Sequence, residues 1–150
     1  MGLIEDVGEG PAALDTAAFV YWIEESPEYL EIVAPIFRAA DAGDLEIVSS
    51  ALTLLEVLVV PYRAGQLRLA ERYEHLLTRS RNVRLLDIDR GLLRAAAQLR
   101  ALHGLRTPDA LQVAAALAMR CPVFVTNDRR LPDISGLEIL QLSDYVVTAP

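Results

Sequence analysis

The sequence predicts an α/β fold built on a mostly parallel sheet. Three observations predict it. Short apolar runs at 12–15, 45–49, 83–88, 122–126 and 137–140 read as strands, and helical stretches separate most of them. Helix-start signals fall just after two of these runs, at Ser49-Ser50 and Asp89, and Thr107-Pro108 opens a further helix ahead of the run at 122–126. Apolar residues make up 53 % of the 150 residues, enough for one domain with a real core. Strands joined through helices imply crossover connections and parallel pairing.

The elements follow in order. Residues 1–10, "MGLIEDVGEG", are acidic and read as a flexible lead-in to a single domain over 11–150. "AALD" (12–15) reads as a short strand, and a helix follows over about Thr16 to Glu25. Ser26-Pro27-Glu28 supplies a cap and a first-turn proline for a second helix to about Ala42, with Pro35 a candidate kink. "LEIVS" (45–49) is a strand. Ser49 or Ser50 then caps a helix through "ALTLLEVLVVPYRAG". Gln66 to Thr78 is amphipathic, with Leu67, Leu69, Ala70, Tyr73, Leu76 and Leu77 on or near one stripe. "VRLLDI" (83–88) is a strand, and Asp89 caps a helix to about His103. Thr107-Pro108 opens a helix through Met119, and "PVFVT" (122–126) and "LEIL" (137–140) are the last strands. Tyr21, Trp22 and Tyr29 read as packing between the first two helices; exposed, they would mark a protein-binding surface.

Bulk properties narrow the function. No run approaches the roughly 20 apolar residues of a membrane span, and the longest apolar window, near Ala51 to Val60, is broken by Glu56. The N-terminus lacks the basic start and apolar run of a signal peptide. One cysteine, Cys121, allows no internal disulfide and no cysteine metal cage, so a cytoplasmic location is expected. The net charge of −7 argues against a general nucleic-acid coat. The charge is uneven, however. Residues 1–60 carry 12 acids against one arginine, whereas residues 61–130 carry 13 arginines against six acids. All 14 basic residues are arginine, whose planar fork suits phosphate, although a genome rich in arginine codons would give the same bias.

In parallel sheets, ligands bind beyond the carboxyl ends of the strands. Asp15 ends the first strand, Ser49 and Ser50 the second, and Thr126-Asn127-Asp128 the fourth. Each acid has two readings. Asp15 is either a helix N-cap or a ligand at a strand end. Glu56 lies in "LTLLEVLVV", a helix apolar on nearly every side and therefore expected to be buried. A buried Glu needs a partner, either an arginine from elsewhere or a cation. Asp109, in the first turn of "TPDALQVAAALA", is favoured by the helix dipole in any case; as a ligand it would share a wet helix end with Gln112. Asp128 is either turn chemistry or a ligand. Four converging carboxylates would repel one another unless one held a proton. A divalent cation removes that conflict, and all-oxygen donors suit Mg²⁺ or Mn²⁺ better than Zn²⁺.

The ordered set "LDTAAFV", "SSALTLLEVL", "LRTPDALQVAAAL" and "FVTNDRRL" resembles the PIN-domain nucleases, most of all the small toxin ribonucleases of VapBC toxin–antitoxin pairs. The resemblance spans about residues 12 to 142. It implies a three-layer α/β/α sandwich. It also implies that Asp15, Glu56, Asp109 and Asp128 form an acidic quartet holding Mg²⁺ or Mn²⁺. Thr126 and Asn127 match the polar residues beside the last acid, with Thr16 a further supporting candidate. A homodimer and a cognate antitoxin that covers the site are implied as well. The chain departs from the family pattern in its weak first strand, "PAALD", and in the ten residues before Pro11.

The activity so implied is metal-dependent hydrolysis of RNA phosphodiester bonds. Arg106, Arg129 and Arg130 lie near the motifs and could steer phosphates, or be plain surface arginines. Structured DNA is the alternative substrate. Two other readings stand beside it: an aspartyl-phosphate hydrolase or receiver-like domain with Asp15 as nucleophile, and a non-catalytic binding module that keeps the fold with an empty or idle acidic pocket. "LDTAAF" lacks the second aspartate that the common phosphatase pattern places two residues on.

Overall fold

In the computed structural model, residues 2–147 are described. Five strands form the sheet: β1 (Ala12–Leu14), β2 (Ile47–Ser50), β3 (Val83–Leu86), β4 (Val123–Thr126) and β5 (Glu138–Gln141). Their order is β3-β2-β1-β4-β5, and every pairing is parallel. The chain builds outward from β1 to β2 and β3, then crosses back to place β4 on the other side of β1. The carboxyl ends of β1 and β4 therefore flank the point where the strand order reverses, the usual crevice of an open parallel sheet.

Alternation along the strands splits the core in two, because successive side chains point to opposite faces. Ala12, Leu14, Ile47, Val123, Val125 and Leu140 share one core with Phe19, Val33, Ile36, Phe37, Tyr73 and Leu77. These come from α2 (Thr16–Ile23), α3 (Leu30–Asp41) and α5 (Leu67–Arg79). Ala13, Val48 and Phe124 face the other way, against α6 (Arg90–His103) and α7 (Thr107–Ala118). The result is the expected α/β/α sandwich. β1 is buried throughout because helices cover it on both sides.

Several local expectations hold with modest shifts. Asp89 Oδ1 accepts from Leu92 N at 2.8 Å and starts α6. Gly104, at φ +68°, ends α6 in the left-handed region where glycine carries no Cβ penalty. Tyr21 stacks on Tyr29 with ring centres 4.4 Å apart, and Trp22 on Phe37 at 5.1 Å, so these aromatics pack α2 against α3. Ser26 Oγ accepts from Tyr29 N at 3.3 Å, but it caps a turn rather than the helix, which begins at Leu30.

Three expectations are corrected. First, residues 2–10 are no loose lead-in. They contain α1 (Leu3–Val7), whose Leu3 and Val7 are buried in the larger core. Leu3 and Val7 stand four apart and so share one helical face, a signal that the acidic neighbours hide. Second, neither Ser49 nor Ser50 caps α4 (Leu52–Arg63). Both belong to β2, and the N-cap is Ala51 without a side-chain bond. Third, α4 is not buried on all sides. Thr53, Val57 and Pro61, spaced by four, reach the interior, while Leu55, Glu56, Val59 and Val60 are exposed. The helix is apolar beyond what its own fold needs to bury.

The α1 finding is checked by Leu3→Ala. A docked helix predicts a loss of about 2 kcal/mol in urea unfolding, at the low end for buried leucine because the segment is terminal. A loose lead-in predicts no change.

Candidate active site

Four elements bring the acids to the rim above β1 and β4. Asp15 follows β1 and is the N-cap of α2, where its Oδ1 accepts from Thr16 N at 2.7 Å. Its other oxygen accepts from Thr126 Oγ1 at 2.9 Å, and that hydroxyl in turn accepts from Asp128 N at 3.1 Å. Thr126 thus links the end of β4 to the end of β1 and sets the Asp128 backbone at the same edge. Asp109 sits in the first turn of α7.

Three acids are neighbours, since Thr126 joins Asp15 to the Asp128 backbone and Arg106 spans Asp109 and Asp128. Burial pushes the Asp15 carboxyl up from its ordinary range, hydrogen bonds from Thr126 and Thr16 oppose this, and the charges of Asp109 and Asp128 add to the rise. Asp128 moves the opposite way, mainly because Arg130 hydrogen-bonds to it. Arg130 Nε lies 3.0 Å from Asp128 Oδ1. Arg106 bridges two acids, with Nε 3.2 Å from Asp109 Oδ2 and Nη2 3.6 Å from Asp128 Oδ2.

Glu56 joins by a different route. It is exposed rather than buried, because it projects from the outer side of α4 and not from the row of Thr53 and Val57. Its Oε1 accepts from Thr16 Oγ1 at 2.8 Å, so Thr16 touches both Asp15 and Glu56. No arginine pairs with Glu56 among the described residues, although a buried pairing was one of its two readings.

Other expectations fare differently. Asn127 uses its amide on Tyr21 Oη at 3.2 Å and its oxygen on Ser143 N at 3.1 Å, which makes it a brace between α2 and the short 3-10 helix at Leu142–Tyr145. Arg129 bonds Ser143 Oγ at 2.7 Å and Asp144, away from the acids. Gln112 does not lie at a wet helix end; it is buried and bonded to β2 and α4. Thr53, Ser49 and Gln112 form a buried polar cluster that the sequence reading passed over. Its only trace in the sequence is three polar residues inside apolar runs. Cys121 is buried, its thiol pushed up to about 12, which leaves it unfit as a nucleophile.

Carboxylate donors suit a hard cation. Yet among the described residues no three acids, histidines or cysteines stand close enough to enclose one. Arg106 and Arg130 take that place at Asp109 and Asp128.

A raised folded-state pKa means that Asp15 favours the fold at pH below the unfolded carboxylate value, and that this contribution is lost as pH rises through the folded value. Asp15→Asn removes that loss while Thr126 can turn to accept from the new amide. The melting temperature of chelator-treated protein should therefore rise at about pH 7, and the gain should shrink toward about pH 4. A lower melting temperature at neutral pH would contradict this electrostatic account.

The comparisons agree with the geometry. The PIN domain family model matches residues 12–137. Among solved structures, VapBC2 from Rickettsia felis bound to promoter DNA aligns with TM-score 0.65 and 18 % identity, covering 87 % of this chain and 97 % of that one. VapBC from Salmonella typhimurium, bound to DNA, aligns with TM-score 0.60 and 22 % identity over 87 % and 97 %. VapC20 of Mycobacterium tuberculosis, a toxin that cleaves the sarcin–ricin loop, aligns with TM-score 0.62 and 15 % identity over 75 % and 86 %. No match is found among curated protein sequences. With more than four-fifths of its length covered by the family model, and with the same fold as these toxin structures, the chain belongs to the PIN domain family.

Proposed function

We propose that the protein is a metal-dependent endoribonuclease and the toxin of a toxin–antitoxin pair. The observation that carries this reading is the convergence of Asp15, Asp109 and Asp128 at the switch point of a PIN-domain sheet, with the charges of the other two acting on Asp15. VapC20, a structural neighbour, cleaves RNA of the sarcin–ricin loop, and other neighbours are toxin–antitoxin complexes.

Asp15, Glu56, Asp109 and Asp128 would hold Mg²⁺ or Mn²⁺. Their donor chemistry, and the mutual repulsion of Asp15, Asp109 and Asp128, fit a dication, provided Arg106 releases Asp109 and Arg106 and Arg130 release Asp128. When bound, such an ion lowers the pKa of water and stabilises charge on phosphoryl oxygens. The chain does the rest. Thr16 N and Thr126 hold the Asp15 carboxylate in one orientation, and Thr16 Oγ1 holds Glu56. Once displaced from the carboxylates, Arg106 and Arg130 meet the substrate phosphate with their forks. Arg129 is committed to Ser143 and Asp144 and is the weakest phosphate contact of the three.

An antitoxin partner, and a second copy of the chain, are part of this reading. Leu55, Val60 and Tyr62 on α4 and Leu67 on α5 are more than half exposed, apolar side chains that a protein partner would cover. None of the described helices is long and apolar enough to cross a membrane.

A second reading has its own support. Arg106 and Arg130 already neutralise two acids, as they would in a binding module whose pocket stays idle. Mn²⁺ calorimetry separates the two, and absence of binding at millimolar concentration favours the idle pocket. On the enzyme reading, Arg106→Gln should tighten Mn²⁺ binding and raise KM for RNA.

The direct test is an RNA digest with Mn²⁺. Asp15→Asn should lose more than the roughly 10–100-fold that loss of an outer-sphere partner costs. Equal cleavage by both chains would end the nuclease assignment.

A further inference from the structure

Gln141 closes β5, and in the sheet it stands beside Thr126, the last residue of β4. Val125 and Leu140, the residues before them, face the larger core, so Thr126 and Gln141 both turn to the opposite face. These two side chains take hold of one residue from both ends. Thr126 Oγ1 accepts from Asp128 N at 3.1 Å, and Gln141 Nε2 donates to Asp128 O at 3.0 Å. A carbonyl oxygen can only accept, which fixes the Gln141 amide with its nitrogen toward Asp128. The amide oxygen is then buried with no hydrogen-bond partner among the described residues. An unmatched buried acceptor disfavours folding, so packing alone gives no reason for a glutamine here. Gln141 also lies beyond the span of the family match, which ends at residue 137.

The turn that carries Asp128 is closed on itself. Asp128 Oδ1 accepts from Arg130 N at 3.0 Å, and Asp128 O also accepts from Leu131 N at 3.4 Å. Such bonds fix the shape of a turn but not its place over the sheet. In this structure Arg106 and Arg130 also tether the carboxylate. On the metallonuclease reading, on which this inference rests, both arginines let go when the cation enters. The backbone anchors must then keep the acid facing Asp15 and Asp109. Asn127 supplies two of them one residue earlier, through Tyr21 and Ser143. Gln141 is the side chain from a neighbouring strand that holds Asp128 itself. We infer that Gln141 is a positioning residue, which fixes the Asp128 backbone so that its carboxylate stays at the rim after the arginines leave.

The test uses the full chain with Gln141→Met, which keeps the bulk and removes the donor, and Gln141→His, whose Nε2 lies as many bonds along the side chain as that of glutamine. At about pH 8 the imidazole is neutral and can donate through that nitrogen. Calorimetry with Mn²⁺ reports affinity. Metal-free crystal structures in an Arg106→Ala, Arg130→Ala background report the Asp128 carboxylate without its two tethers. Gln141→Met should weaken Mn²⁺ binding about tenfold and move the carboxylate away from Asp15 and Asp109. Gln141→His should keep both native. Native affinity or an unmoved Asp128 in Gln141→Met overturns the inference, whatever the melting temperature does. If Gln141→His behaves as Gln141→Met does, the donor is not what matters and the inference falls. If the unsubstituted chain binds no Mn²⁺, the metallonuclease reading falls, while the crystal structures still decide whether Gln141 holds Asp128. Gln141→Ala replaces Gln141→Met if the latter does not fold; if neither folds, the position is a folding element and the inference falls.

Discussion

The arrangement depends on one electrostatic constraint: like charges held together at the carboxyl edge of a sheet need a positive counterpart. Asp15 follows a strand covered on both faces, so its carboxylate is partly desolvated before any neighbour is counted. Asp109 and Asp128 then add repulsion. The chain compensates with donors aimed at each oxygen of Asp15 and with two arginines over the other two acids. Such a rim is costly to fold, which is a common property of functional sites.

Sheet topology puts the constraint there. Because β1 lies between β2 and β4, the turn after β1 and the turn after β4 open onto the same crevice. Thr126 spans it with a single hydroxyl, accepting from the Asp128 backbone and donating to Asp15. Two strands more than a hundred residues apart in the chain are thereby locked at their ends. Below the rim, the Ser49–Thr53–Gln112 cluster does similar work with neutral groups. Satisfied polar clusters of this kind specify one packing where apolar side chains would tolerate several.

The surfaces tell a complementary story. α4 turns one row inward and leaves leucine and valine in water. This explains why its sequence looks buried while its structure is not. A helix apolar on nearly every side reads as one buried by its own fold, but an apolar face can equally be a demand of a partner, and the sequence pattern does not separate the two.

Much of the fold was legible because strand runs, caps and proline starts are local signals: Asp89 capping α6 and Thr107-Pro108 opening α7 need no knowledge of the rest of the chain. The sequence by itself determined the parallel α/β class and the order of the elements from β1 to β5, and it singled out Asp15, Glu56, Asp109 and Asp128 as the candidate acids. Only the tertiary structure decided which partners those acids have. That Arg129 turns to Asp144 while Arg106 spans Asp109 and Asp128, that Glu56 is exposed and Gln112 buried, and that Leu3 docks in the core all depend on distances between segments remote in sequence. Hydrogen bonds and ion pairs act over a few ångströms in space, and a residue's type and spacing do not specify which distant neighbour will occupy that shell.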